Sequence, residues 1–162
     1  MSWTDIYNNT RQNQNLRFAK STDGGNSFII QPFYLPREGI LGIPAIAASE
    51  KTNLYIIWAA NFTGNYIIRF THSRDGGNTF SAPVNLTSRS ALLSLYPHIF
   101  PSKNGLYAVW DTQNGSVYSD VYFEISTDNG NTFSDPINLS KNTDRNSFLP
   151  YIAASGNNIY AA

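Results

Sequence analysis

HSRDGGNTFS, residues 72–81, stands near the middle of a 162-residue chain, and close variants lie on either side: KSTDGGNSFI at 20–29 and ISTDNGNTFS at 125–134. Asp23, Asp75 and Asp128 are 52 and 53 residues apart, and Pro44, Pro97 and Pro150 are 53 and 53 apart. Two independent markers therefore give one period, the signature of a repeat architecture. Other strings recur with them: IPAIAAS, YPHIFPS and LPYIAAS; NLYIIW, GLYAVW and NIYAA; YIIRFTHS and VYFEISTD; FSAPVNL and FSDPINL.

Each unit thus holds four short segments rich in Ile, Val, Tyr, Phe and Trp, separated by Gly, Asn, Asp, Ser and Pro, which read as strands. No stretch carries a helical apolar spacing over ten residues, so the expected class is all-β. Four strands in about fifty residues is the size of one β-propeller blade, a small antiparallel sheet that packs its faces on its neighbours. On this reading residues 43–87 and 96–140 are complete blades. A third is divided between 149–162, its first two strands, and 1–35, the end of its second strand with its third and fourth.

The opening string falls between the third and fourth strands, where the chain must reverse. Glycine supplies positive φ at low cost, and the Asp side chain accepts hydrogen bonds from the backbone of its own turn. Phe28, Phe80 and Phe133, five residues after each Asp, are expected to turn inward. The string resembles the Asp-box, or BNR repeat, of sialidase-like propellers, usually S-x-D-x-G-x-T-W, with Phe here in place of Trp. The matching residues are Ser21, Asp23, Gly25 and Phe28; Ser73, Asp75, Gly77 and Phe80; and Ser126, Asp128, Gly130 and Phe133. The resemblance covers every repeat and implies a structural role for all three turns. A calcium loop competes poorly, because each copy has one carboxylate and calcium takes six to eight oxygens. No metal and no cofactor are expected.

The resemblance also raises a glycosidase reading. Sialidases hold the substrate carboxylate with three arginines, the first in an F/Y-R-I/L-P motif, and use an Asp acid/base with a Tyr/Glu nucleophile pair. At the matching places this chain has LGIP (41–44), LYP (95–97) and FLP (148–150), without the arginine, and its strand glutamate is Glu124, at a solvent-facing or inter-blade position by alternation. Fold does not carry activity with it, and the expectation is a non-enzyme. Arg37, Arg89 and Arg145 fall one to each connection between units, at the expected mouth of the propeller channel, where guanidinium groups can hold a glycan or small anion. The competing reading is that they are solvated, with Glu38 and Asp144 as ion-pair partners. His72 and His98 occupy unrelated repeat positions, whereas Trp3, Trp58 and Trp110 share one second-strand position and read as blade packing.

Eleven basic and eleven acidic residues leave no net charge, and neither sign forms a run, so nucleic acid and an anionic membrane surface are poor partners. There is no cysteine, hence no disulfide. No apolar run approaches a membrane span, and MSWTDIYNNTRQ lacks the apolar region of a signal peptide.

The ends complete the sequence reading. NIYAA stops one residue before the expected Trp, and MSW begins at it, as though the repeat array were cut inside a second strand, the mark of an excised fragment. Three blades cannot surround a channel. The expected partner is a second copy, each chain's last strands completing the other's first blade in a six-bladed homodimer. A structural self-assembly module and a glycan- or anion-binding propeller both remain open at this point, with a residual sialidase third.

Overall fold

The computed structural model describes residues 2–6, 14–31, 39–40, 43–49, 52–62, 64–88, 93–113, 115, 117–141 and 144–162. Among them there is no helix, and the class is all-β. The strands are β1 (Ser2–Ile6), β2 (Gln14–Lys20), β3 (Ile29–Gln31), β4 (Gly39–Ile40), β5 (Ala45–Ser49), β6 (Asn53–Phe62) and β7 (Asn65–Ser73). They continue as β8 (Val84–Asn85), β9 (Leu93–Ser102), β10 (Gly105–Gln113), β11 (Asp120–Ser126), β12 (Ile137–Asn138), β13 (Ile152–Ser155) and β14 (Asn158–Ala161).

Two antiparallel meanders form the centre, β5-β6-β7-β8 and β9-β10-β11-β12. A single parallel pair, Tyr66 with Leu93, links β7 to β9 and joins the meanders into one nine-stranded sheet. β4 extends the first meander by lying on the far half of β6, with Ile40 opposite Ala60. The long strand β9 does the work of β4 and β5 together, and its ladder with β10 slips between Val109 and Asp111, a bulge that bends the strand at Trp110. Before the meanders comes the sheet β1-β2-β3, and after them the hairpin β13-β14.

The apolar runs in β6 and β10 are continuous because both faces of these strands are covered. Tyr55, Ile57 and Ala59 point one way and meet Ile68, Phe70, Leu106, Ala108 and Trp110. Ile56, Trp58 and Ala60 point the other way and meet Leu16 of β2, with Ile46 and Phe80 beside them. On the far side of β10, Tyr107 and Val109 pack with Ile152 of β13, and Phe123 and Ala154 close that layer. The β1-β2-β3 sheet, the two meanders and the β13-β14 hairpin thus follow one another face to face in chain order. Burying one such Ile, Val or Phe side chain contributes about 1.5–3 kcal/mol, so these three layers carry most of the stability. The outer strands β8 and β12 are two residues long, which leaves little edge for stray pairing.

One sequence expectation fails here. Phe80 and Phe133 turn inward and are partly buried, but Phe28 is 51% exposed. Phe80 meets the ring of Phe18 edge-on at 5.8 Å, and Phe133 meets Phe70 at 5.0 Å. In both cases the partner belongs to the preceding sheet. No sheet precedes β1-β2-β3 among the described residues, and Phe28 meets no such ring among them.

Candidate functional site

The three repeated turns are built from the same atoms. In the middle one Ser73 Oγ donates to Asp75 Oδ1 at 2.8 Å and accepts from Gly77 N at 2.9 Å. Asp75 Oδ1 also accepts from Asn78 N at 3.0 Å and Thr79 N at 2.9 Å, while Oδ2 accepts from Thr79 Oγ1 at 2.6 Å. Asp128 holds Ser126 Oγ, Thr132 N and Thr132 Oγ1 at 2.8, 2.9 and 2.6 Å, and Asp23 holds Ser21 Oγ, Ser27 N and Ser27 Oγ in the same way. The hydroxyl of the residue four on, then its backbone N–H, hold all three carboxyls well below the ordinary range, Asp128 at about 2. Each carboxylate spends its lone pairs on its own turn, which leaves little with which to engage a ligand. Arg74 donates from Nη2 to Asn131 Oδ1 at 3.0 Å, tying the second turn to the third.

At the start of the first strands the repeats converge. Ile43, Pro44, Tyr96, Pro97, His98, Leu149, Pro150 and Tyr151 line a cavity of about 290 Å³. Tyr96 and Leu149, each just before a proline, have φ of 49° and 57°, a left-handed backbone that is strained for residues with a Cβ. Leu149 is fixed by a hydrogen bond from its N–H to Asp111 Oδ2 at 3.2 Å. Burial raises the Asp111 carboxyl to about 6, against the opposing effect of that bond. His98 stacks obliquely on Tyr151 at 4.9 Å and accepts from Ile152 N at 3.4 Å through Nδ1, and burial lowers its pKa. Leu95 and Phe148 stand two residues before Pro97 and Pro150, where the sialidase pattern has arginine.

Of the three loop arginines, Arg37 and Arg89 lie outside the described residues. Arg145 is exposed and pairs with Asp144 at 3.0 Å. His72 is half-buried and away from the cavity lining, its pKa lowered first by burial and then by Arg74. Glu124 is buried, 3% exposed, and desolvation followed by the charge of Asp135 pushes its carboxyl up to about 8. The solvent-facing alternative for it falls. Among the described residues no group of three or more His, Asp or Glu is placed to hold a metal ion, and no helix is long and apolar enough to cross a membrane.

Sequence reasoning missed Asp111 and the polar triplet beside it. Trp110 Nε1 donates to Thr112 Oγ1 at 3.0 Å, and Thr112 Oγ1 lies 2.9 Å from Ser94 Oγ, all buried. The available signal was VWDT (109–112), with two polar residues inside an otherwise apolar strand, where the preceding repeat reads IWAA. Two end clefts were also missed. One, of about 450 Å³, runs between Phe18–Ser21 of β2 and Ile46–Ser49 of β5, with Phe28 on its wall. The other, of about 490 Å³, lies beyond Ala161 and Ala162 against Val121, Leu139 and Phe148.

No protein-family model matches the chain, and no curated protein matches it significantly. Among solved structures it is similar to the GH93 α-L-arabinofuranosidase of Fusarium graminearum, determined in complex with arabinobiose, at 16% identity and a TM-score of 0.59. That match covers 85% of this chain and 43% of the enzyme, so the chain spans less than half of the structure it resembles. At such identity the likeness is one of fold, and the fold is of the β-propeller kind.

Proposed function

We propose that the chain is a non-catalytic assembly module, a segment of a sialidase-like propeller whose ring of six repeats is closed by a second copy. One observation carries the proposal. In β1-β2 Trp3 is paired with Arg17, as Trp58 is with Arg69 in β6-β7 and Trp110 with Tyr122 in β10-β11. By this register β1-β2-β3 is the latter part of a repeat, and the hairpin β13-β14, with its recurring LPYIAAS and NIYA strings, is the former part. Two such chains would match most of the length of the propeller to which this one is similar. The test is the mass in solution by light scattering. Twice the 18.0 kDa chain is expected, and a well-folded single chain at all concentrations overturns the proposal.

A second reading is carbohydrate binding at the cavity where the repeats converge. It is favoured by the exposed ring of Tyr151, 65% accessible, beside Tyr96 and His98, since sugars stack on such rings. The similar arabinofuranosidase was solved with arabinobiose. Titration with arabinobiose followed by calorimetry, repeated on Tyr151→Ala, tests it: heat that disappears in the variant supports binding there, and no heat from the native chain removes it.

A further inference from the structure

In the two complete junctions each repeat rests on the sheet before it through the same three positions. Phe80 meets Phe18, and Phe133 meets Phe70. Gly77 lies under Phe18 so closely that an added Cβ would stand 2.6 Å from the ring, and Gly130 lies under Phe70 in the same way. Trp58 packs with Leu16, and Trp110 lies in the layer that holds Ile68 and Leu86.

At two of these positions the first repeat has the same residues without the support. Phe28 is 51% exposed, and a Cβ on Gly25 would meet nothing within 4 Å. At the other end the supports stand without their load. Register equivalence makes Phe123 the counterpart of Phe18 and Phe70, and makes Val121 and Leu139 the counterparts of Ile68 and Leu86. Val121 and Leu139 line the open cleft past Ala162.

The backbone shows the same reciprocity. In the first meander β6 runs beside the whole end of β7, with Leu54 opposite Ser73 and Tyr55 opposite His72. The counterparts on β2 are Ser21 and Lys20, but the described part of β1 runs only as far as Ser2, opposite Phe18. The strand with the residues to continue it is β14, where Ile159 and Tyr160 correspond to Leu54 and Tyr55. Both are exposed, 41% and 57%. The cleft beside Lys20 and Ser21 is where that strand would lie.

We infer that two copies join by a reciprocal exchange: β14 of one lies on β2 of the other with Tyr160 opposite Lys20, and Phe28 of the second takes Phe123 of the first, beside the Val121–Leu139 cleft, as its support. The inference rests on closure by a second copy and fixes its register. Strands from further repeats of a longer chain are the competing occupant.

The chain has no cysteine, so a Lys20→Cys, Tyr160→Cys double variant reports on one pair alone. Mild oxidation should give a band of twice the chain mass on a non-reducing gel. The shifted pair Lys20→Cys, Ile159→Cys should not, because one residue of slip sends the side chain to the opposite face. Phe28→Ala should weaken dimerisation at least tenfold by sedimentation while leaving the far-ultraviolet spectrum unchanged, Phe28 being exposed in the single chain. A dimer that cross-links equally at the shifted pair, that cross-links at neither, or that ignores Phe28→Ala overturns this junction and leaves the assembly proposal standing. A chain that stays single overturns both.

Discussion

Phe70 lies over Gly130 so closely that a Cβ built on the glycine would stand 2.7 Å from the ring's Cζ. The same glycine has φ of +90°. Two costs therefore meet at one atom, a left-handed backbone and a steric clash. Gly130→Ala should destabilise the chain by about 2–4 kcal/mol, of which about 1–2 is strain and the rest overpacking. At Gly25 φ is +96° but the space is open, so Gly25→Ala should show the strain alone, about 1–2 kcal/mol. Urea midpoints of the two variants compare them directly, and equal losses would mean that the ring gives way freely.

The turns were legible because one arrangement of Ser, Asp, Gly and Phe solves the same backbone problem three times, so the same letters recur. The second-strand Trp position was legible for a similar reason, since Trp58 and Trp110 fill equivalent layers. The fate of Phe28 was not, because burial depends on a neighbouring sheet and not on the turn that aims the ring. Asp111 was invisible as a site residue because its partner, Leu149, is 38 residues away in sequence. Of the three loop arginines, Arg37 and Arg89 lie outside the described residues and Arg145 is held by Asp144.

The two buried tryptophans differ in how their indole N–H is satisfied. Trp110 Nε1 has Thr112, whereas Trp58 Nε1 is buried with no hydrogen-bond partner among the described residues, Ala60 standing where Thr112 stands. Thr112→Val keeps the shape, leaves Trp110 Nε1 unpaired and removes a partner of Ser94, and should cost about 1–3 kcal/mol. Ala60→Ser places an acceptor beside Trp58 and should stabilise by about 1 kcal/mol or less. Chemical unfolding measures both changes. Equal and opposite signs to these would show that packing, not hydrogen bonding, decides at this position.

No turnover of a fluorogenic sialoside or arabinofuranoside above the buffer rate is expected between acid and neutral pH. The apolar Leu95 and Phe148 hold two of the places where the sialidase pattern puts arginine. Asp111, which accepts from the N–H of the cavity-lining Leu149, is 3% exposed. Glycoside hydrolysis needs two carboxyls that flank the bond. Hydrolysis that vanishes in Asp111→Asn would overturn the non-catalytic reading.

Acidity should act on this fold in two opposite ways. The turn carboxyls Asp23, Asp75 and Asp128 have lowered values in the folded chain, so what they contribute is full above their ordinary value of 3.8 and is lost as pH falls below it, for Asp128 through about 2. Asp111 and Glu124 are raised, from 3.8 to about 6 and from 4.5 to about 8, chiefly by burial. Their neutral forms suit the folded state, so their contribution is full below about 4 and is lost as pH rises through 6 and then 8. Between those limits the unfolded chain binds fewer protons, and each such group lowers stability by about 1.4 kcal/mol per pH unit. Maximum stability should therefore lie near pH 4 to 5, more acidic than the usual optimum. Glu124→Gln removes the contribution with the wider pH interval, so its melting temperature should exceed that of the native chain at pH 8 and approach it at pH 5. Parallel curves across that interval would show that Glu124 is ionised in the folded protein.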